Sequence, residues 1–168
     1  MIELDGYRPG ALAGIVGLHI RYYANEWGFG LAFETKVAAE LAEFLQRMQP
    51  SRDLFLVAYE ADEPVASIVV DVSGGGPEGA HLRWFVVGEA ARGRGLGRDL
   101  LGRAIAHCDA LGCATIWLTT FAGLGAARAL YEQAGFVLVA ESDIDQWSGG
   151  VREQRFERPS PSSAAGAP

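Results

Sequence analysis

The most constraining feature of the sequence is residues 82–101, where an apolar segment leads into a turn of glycines and arginines and then into an amphipathic pattern. Glycine stands at three alternate positions of the turn, 93, 95 and 97. Glycine reaches positive φ without steric cost and lets a ligand approach the backbone. The first turn of a helix leaves N–H groups unpaired at the positive end of its dipole. The stretch therefore predicts a strand, a turn that holds phosphate, and a helix.

Two common phosphate-binding turns do not fit this stretch. A P-loop ends in Gly-Lys-Ser or Gly-Lys-Thr, and the turn contains no lysine. A dinucleotide fingerprint requires a glycine three positions after Gly95, where Arg98 stands. A simple connector remains an alternative, but Arg92, Arg94 and Arg98 crowded among the glycines would be costly in a turn without a ligand.

Length and composition describe one globular domain. We expect the domain to span residues 1–158 and residues 159–168, rich in Pro, Ser and Ala, to form a disordered tail. The net charge of −7 argues against a nucleic-acid surface, and no apolar run approaches the roughly 20 residues that cross a membrane. The N-terminus lacks a signal-peptide pattern, so we expect a cytoplasmic protein. Two cysteines, Cys108 and Cys113, are too few for a zinc site or a disulfide framework.

Hydrophobic periodicity predicts an α/β domain, with a mixed, mostly antiparallel central sheet and helices on both faces. The predicted helices cover residues 11–23, 32–49, 95–112 and 126–134. The predicted strands cover residues 2–8, 53–60, 65–72, 81–87, 114–120, 136–141 and 151–157. Two glycines and two aromatic residues between positions 25 and 30 predict a break between the first two helices.

The spacing Arg92-x-x-Gly95-x-Gly97 after an apolar strand resembles the acetyl-coenzyme A loop of the GNAT (GCN5-related N-acetyltransferase) family. The resemblance covers roughly residues 2–157. It implies acetyl-CoA as co-substrate, no metal, and central strands that separate to admit the pantetheine arm. It also implies that Val87 N–H stabilises the reacting carbonyl oxygen. The implied cofactor-binding residues are Phe85, Val86, Val87, Arg92, Gly93, Arg94, Gly95, Leu96, Gly97 and Arg98.

A second segment, Leu130-Tyr131 followed by Gly135-Phe136, resembles the family's Leu-Tyr-x-x-x-Gly-Phe sequence. The resemblance implies that Tyr131 is the general acid that protonates the departing thiolate. A free phenol has a pKa of about 10, so it can donate a proton at neutral pH. The alternative is a core aromatic side chain on a short helix. The chain departs from the family at Leu124, where many members carry an asparagine that contacts pantetheine.

The sequence does not identify the general base. Glu26, Glu34, His19 and Asp71 are candidates, and a chain of water molecules could also remove the proton. Glu26 falls in the predicted break between the first two helices, where the family commonly places its acceptor-binding loop. A histidine on a helix such as His19 is more often a packed residue than a catalyst.

Residues 21–29, 33–37, 120–124 and 153–157 resemble the acetyltransferase half of bacterial MarR–GNAT fusion proteins. This resemblance implies an aromatic acceptor pocket. Its implied members are Tyr22, Tyr23, Trp27, Phe29 and Trp147. With Glu26 from the predicted break between the helices, Tyr23, Trp27 and Phe29 are the candidate substrate-binding residues. Aromatic residues at such spacings are otherwise more often ordinary core.

The sequence thus favours an N-acetyltransferase in which a primary amine attacks acetyl-CoA directly in a ternary complex. A non-catalytic acyl-CoA sensor or interaction module is the alternative, and another donor such as succinyl-CoA is compatible with the arginines. The acceptor, whether small molecule or peptide, stays open. A homodimer is possible, and we expect no nucleic-acid or membrane partner.

Overall fold

The computed structural model of the protein describes residues 1–76, 79–142 and 152–161. A seven-stranded sheet in the order β1-β2-β3-β4-β5-β7-β6 forms the centre. The strands are β1 (Ile2–Asp5), β2 (Leu54–Glu60), β3 (Glu63–Asp71), β4 (Ala80–Val87), β5 (Thr115–Phe121), β6 (Val137–Ser142) and β7 (Glu153–Pro159). The helices are α1 (Ala11–Trp27), α2 (Leu31–Arg47), α3 (Leu96–Leu111) and α4 (Gly125–Gln133). All strand pairs are antiparallel except β4 with β5, which confirms the predicted fold class.

The sheet separates two apolar cores. The α3 stripe of Leu100, Ala104 and Cys108 packs in a cluster with Ile68 and Val70 of β3. On the other face α1 and α2 join a second cluster with side chains of β2 and β3 such as Val57 and Val69. Because side chains alternate along a strand, one sheet supports both layers.

The first helix extends further than its sequence pattern predicts. Residues 25–27 are helical, and the break comes only at Gly28, whose φ of 67° ends the helix in the left-handed conformation. Glu26 therefore lies in the last turn of α1 and not in a loop, which corrects the expectation for that residue. The other element ends differ from the predicted ones by a few residues.

The last strand of the sheet reaches one residue past position 158, where we expected the domain to end. Strand β7 continues to Pro159, and Ser160 N–H donates to Ala114 O at 2.8 Å. Residues 162–168 of the predicted tail lie outside the described ranges, as do Trp147 and residue 151, the first of the predicted last strand. None of the described helices is both long enough and apolar enough to cross a membrane.

Strands β4 and β5 are hydrogen-bonded neighbours only at their beginnings. Their parallel register contains the pairs Ala80 with Ile116 and His81 with Trp117, and no further pair follows. Beyond His81 the two strands diverge, so the facing edges of both strands lack partners from the sheet. This divergence creates the opening in which the candidate site lies.

A buried carboxylate fixes the loop that leads into β4. Asp53 accepts hydrogen bonds from the amides of Gln49, Val72 and Ser73, each at 2.8 Å, and from the Ser73 hydroxyl at 2.6 Å. Burial alone would raise the pKa of the Asp53 carboxyl, but these four donors hold it below its ordinary value. The network joins the start of β2 to the end of β3.

We expect Asp53→Asn to lower the free energy of unfolding by about 2–4 kcal/mol, because the amide nitrogen turns a donor toward buried donors. The measurement is urea unfolding, with exposed Asp62→Asn as the control that leaves the midpoint unchanged. The native carboxylate stabilises above the unfolded pKa of about 3.9, and this contribution disappears as the pH falls through the depressed folded pKa. The difference between native and variant should therefore shrink in acid. Equal midpoints at neutral pH would contradict the assignment.

Candidate active site

A cleft of about 1180 Å³ occupies the gap between β4 and β5 and continues to both faces of the sheet. From one face the N-terminus of α3 and the helix α4 line it, and from the other face α1 and α2 do so. A ligand in this gap can therefore be contacted by the strand edges and by side chains from both layers.

A bulge in β4 shapes the middle of the cleft. Trp84 has a φ of 44°, which is unusual for a residue with a side chain, and the register of β3 with β4 shifts beside it. Ser67 Oγ donates to the Trp84 carbonyl oxygen at 2.8 Å and holds this conformation. The Trp84 ring packs near Phe44 of α2, whereas Phe85 faces Tyr131 of α4. The bulge thus directs consecutive aromatic side chains to opposite faces.

The last residues of β4 present backbone groups to the gap. Successive residues of a strand direct their N–H groups to opposite edges. Gly88 N–H donates to Val65 O in β3 at 2.8 Å, so Val87 N–H points to the unpaired edge. Val87 O accepts a 3.3 Å hydrogen bond from Arg92 Nε, which keeps the start of the loop against the strand.

A second set of unpaired amides lies in the glycine-rich turn. Gly93 and Gly95 have φ angles of 74° and 77°, the left-handed region that their sequence position predicts. Arg92 N–H donates to Glu89 O, and Asp99 N–H donates to Gly95 O in the first bond of α3. Between these two, the amides from Gly93 to Arg98 have no partner within the described chain. The predicted amide donor at Arg92 is thus already paired, and the others are free.

The three arginines of the turn differ in their surroundings. Arg94 pairs with Glu60 at 3.0 Å and does not line the cleft, so its side chain does not bring positive charge to the cleft as we expected. The Arg92 guanidinium lies over the Tyr22 ring at 5.0 Å. Arg98 lines the cleft and has no ion-pair partner among the described residues. Sequence spacing could not distinguish them, because Glu60 comes from a distant strand.

Gly97 is required for close packing and not for its φ angle. A Cβ atom at this position would lie 3.2 Å from Cδ1 of Leu130 and 3.7 Å from the Phe85 ring. A larger residue would require the Leu130 side chain to shift, so Gly97 lets α3 pack closely against α4.

Tyr131 projects from α4 into the cleft among aromatic rings. Its ring lies near those of Phe85, Phe136 and Phe156, with centroids about 6 Å apart. Phe136 N–H donates to Tyr131 O at 3.0 Å through a turn in which Gly135 has a φ of 94°. The hydroxyl forms no hydrogen bond to another residue of the described chain. Burial raises the pKa of the Tyr131 phenol above its ordinary value, so the group stays protonated.

An aromatic cluster from α1, α2 and β5 lines the opposite face of the gap. Tyr23 is at its centre, with ring centroids 4.9 Å from Phe33 and 5.5 Å from Phe121. Of the predicted acceptor residues, Tyr22 and Tyr23 line the cleft. Trp27 and Phe29 pack behind Tyr23 without lining the cleft, and Glu26 is exposed outside it. Phe33 and Phe121 were not among the predicted site residues, since each reads as core.

The cleft is polar at the end where β4 and β5 are joined, a feature that we did not predict from the sequence. His81 stacks on Trp117 with ring centroids 3.6 Å apart, and Arg155 covers that indole at 4.2 Å. Arg83 Nη2 donates to Glu40 at 2.6 Å. Burial, followed by the Arg83 charge, lowers the pKa of His81 to about 3. The signal was present: His81 and Arg83 alternate with apolar residues in a central strand.

The four candidate bases differ in whether they line the cleft. Asp71 is buried in an ion pair with Arg47 and accepts the Gly74 amide, and it does not line the cleft. Glu26 and Glu34 are exposed on α1 and α2, also outside the cleft. His19 is the one of the four that lines it. No group of three metal-ligating side chains forms within the described ranges.

Known proteins of similar structure cover nearly the whole chain. An acetyltransferase of the GNAT family from Staphylococcus aureus Mu50 has 17% identity and a TM-score of 0.73, with 95% of this chain and 99% of that chain covered. The ribosomal-protein-S18-alanine N-acetyltransferase of Escherichia coli has 24% identity and a TM-score of 0.68, over 95% and 94%. The NatC complex bound to Gag peptide and CoA has 17% identity and a TM-score of 0.73, over 94% and 98%. These identities show a shared fold.

Among curated proteins, no significant match to the chain exists. The sequence profile described as the acetyltransferase (GNAT) family matches residues 21–136. This matched region contains the diverging strands, the glycine-rich turn and Tyr131. The chain therefore belongs to the GNAT family of acetyltransferases.

Proposed function

We propose that this acyltransferase transfers the acetyl group of acetyl-CoA to a primary amine by direct attack in a ternary complex. The observation that carries the proposal is the pair of free backbone donor sets in one cleft, at the unpaired edge of β4 and in the turn from Gly93 to Arg98 that begins α3. A phosphate group at a helix N-terminus is stabilised by such amides and by the helix dipole.

The residues of the cleft fit acetyl-CoA. The amides from Gly93 to Gly97 and the Arg98 guanidinium would hold the diphosphate, and the main chain of Phe85, Val86 and Val87 would hold the pantetheine arm. When bound, acetyl-CoA supplies an acetyl thioester that a neutral amine can attack. Val87 N–H faces the gap and would stabilise the carbonyl oxygen as it gains negative charge.

Tyr131 would donate the proton that the departing sulfur needs. Its hydroxyl is free within the described chain, and its raised pKa keeps the proton on oxygen at neutral pH. Because the side chain reaches the gap from the α4 face, the α1 and α2 face stays open for the acceptor. This division supports direct attack, since amine and thioester meet inside the sheet.

The acceptor is proposed as a primary amine on a small molecule or a peptide. The name of the Escherichia coli neighbour specifies an alanine of ribosomal protein S18, and the NatC neighbour is bound to a peptide. The aromatic cluster around Tyr23 supports an acceptor with an apolar portion. We also propose kinship with the acetyltransferase half of the MarR–GNAT fusions, on the motifs given above.

One observation favours the alternative of a non-catalytic acyl-CoA sensor. Leu124 lines the cleft at the start of α4 and brings an alkyl group where many family members carry an amide. Thiol release from acetyl-CoA with 2-phenylethylamine, spermidine, lysine and an alanyl tetrapeptide distinguishes the two functions. Binding without release on every amine would favour the sensor.

We expect Tyr131→Phe to lower turnover by about 10- to 100-fold while acetyl-CoA affinity stays nearly unchanged, because only the proton donor is removed. Thiol release measures turnover and calorimetry measures affinity. Tyr7→Phe, at an exposed phenol outside the cleft, is the control. Since the phenol pKa is raised, native turnover should show no loss from tyrosine ionisation below about pH 10. Full turnover of the variant would remove Tyr131 from the mechanism.

We expect Gly95→Trp to weaken acetyl-CoA binding by at least about 100-fold, since an indole would cover the free amides. Gly112→Trp is a matched control, because Gly112 has a φ of 74° at the other end of α3 and also faces open space. Both substitutions introduce similar backbone strain, and only the first blocks the proposed phosphate site. Calorimetry on both folded variants makes the comparison. Equal affinities for acetyl-CoA would contradict the loop assignment.

A further inference from the structure

We infer that Nε2 of His19 accepts the proton that the acceptor amine loses during acetyl transfer. The inference rests on the proposed function and adds the base that the sequence left undetermined. It starts from the observation that His19 is a buried histidine that faces the same cleft as Val87 and Tyr131.

The hydrogen bonding of His19 fixes its tautomer. Nδ1 lies 2.8 Å from the carbonyl oxygen of Ile15, one helical turn earlier. A carbonyl oxygen only accepts hydrogen bonds, so Nδ1 carries the hydrogen. In the neutral ring Nε2 then has a lone pair, and no other residue of the described chain donates to it. The side chain therefore offers a proton acceptor at a defined atom.

Neighbouring residues on α1 locate His19 along the cleft. Leu18 lies against the end of β4, where its Cδ2 atom is 3.0 Å from the position of a Cβ on Gly88. Tyr22 lies under the Arg92 guanidinium. His19 and Tyr23 are one helical turn apart, and their rings are 6.4 Å apart in a stacked arrangement. This stripe faces the gap beside the last residues of β4.

The surroundings keep the imidazole neutral. Burial lowers the pKa of His19 to about 4, and the hydrogen bond to Ile15 opposes this only in part. The titratable and charged groups that line the cleft come from both layers and from the sheet: Tyr22 and Tyr23 on α1, Lys36 and Glu40 on α2, His81 and Arg83 on β4, Arg92 and Arg98 beyond it, Tyr131 on α4 and Glu153 on β7. Glu40 pairs with both Lys36 and Arg83, and no carboxylate is among the groups that shift the pKa of His19.

The bonds and protons balance in a single transfer. The amine nitrogen bonds to the thioester carbonyl carbon, and its proton passes to His19 Nε2. The nitrogen becomes far more acidic as it forms this bond, so a weakly basic imidazole suffices. The carbon–sulfur bond breaks with its electron pair on sulfur, which takes a proton from the Tyr131 hydroxyl. Amide and free thiol leave, and the imidazolium proton returns to the tyrosinate through solvent.

The first test requires no acceptor. Long-range ¹⁵N–¹H NMR of the full chain, with signals assigned through His19→Gln, should show His19 as the Nδ1–H tautomer without titration between about pH 5.5 and pH 8. An Nε2–H tautomer, or a protonated ring at pH 7, would overturn the inference.

The second test is transfer to the amine of the above panel that the native protein acetylates fastest. We expect His19→Ala to lower turnover by about 100-fold at pH 7, with unchanged acetyl-CoA affinity, and added imidazole to restore part of the rate. The variant rate should keep rising with hydroxide above the pH where the native rate levels off. His107→Ala is a matched control, because His107 also contacts a backbone carbonyl, that of Arg52 at 2.7 Å, but lies outside the cleft.

The outcomes separate this inference from the proposed function. If the native protein transfers acetyl groups and His19→Ala transfers equally well, or loses activity that imidazole does not restore, the inference fails alone. If the native protein releases no thiol with any amine, the proposed function itself fails. Should His19→Ala not fold, His19→Gln keeps the side-chain volume without a basic nitrogen, and the same loss of turnover at retained affinity is expected.

Discussion

The short parallel pairing of β4 with β5 is the constraint on which the rest of the site depends. Two residue pairs join the strands, and then their edges separate. A sheet interior ordinarily satisfies its backbone groups within the sheet, because unpaired groups away from water are costly. Here the unpaired edge and the free amides of the glycine-rich turn line the same cleft, so a ligand in the gap can reach backbone donors from both.

The two layers around this opening each bring side chains of the proposed mechanism to the gap. Helix α4 brings Tyr131 to the gap from one face, and α1 brings His19 and Tyr23 from the other. The bulge at Trp84 makes this division possible within one strand, since it directs the rings of Trp84 and Phe85 to opposite layers. The Ser67 hydroxyl holds a backbone conformation that a tryptophan would otherwise rarely adopt. A side chain of β3 thus fixes the backbone of β4 at the centre of the cleft.

Features that depend on residue type and spacing within a short segment could be predicted from the sequence. Left-handed glycines at 93 and 95 and the turn after Tyr131 follow from residue type and spacing, and the structure has them where the pattern predicts. Partners from elements distant in the sequence could not be predicted: Glu60 of β2 pairs with Arg94 outside the cleft, and Glu40 of α2 pairs with Arg83. The sequence pattern placed the end of α1 too early. The helix ends at Gly28, and Asn25 and Glu26 before that glycine are still helical. The alternation of His81 and Arg83 with apolar residues was a readable sign of a polar wall.

The open strand edges also bear on how long the folded chain survives. A ligand that binds the native state alone stabilises it by about 2.7 kcal/mol at one hundred times its dissociation constant. Acetyl-CoA bound in the gap would pair with strand edges that the polypeptide leaves unpaired. The free energy of unfolding would then depend on the concentration of acetyl-CoA. A cell depleted of this thioester would then expose a larger unfolded fraction of the chain to proteases, and protein abundance would fall.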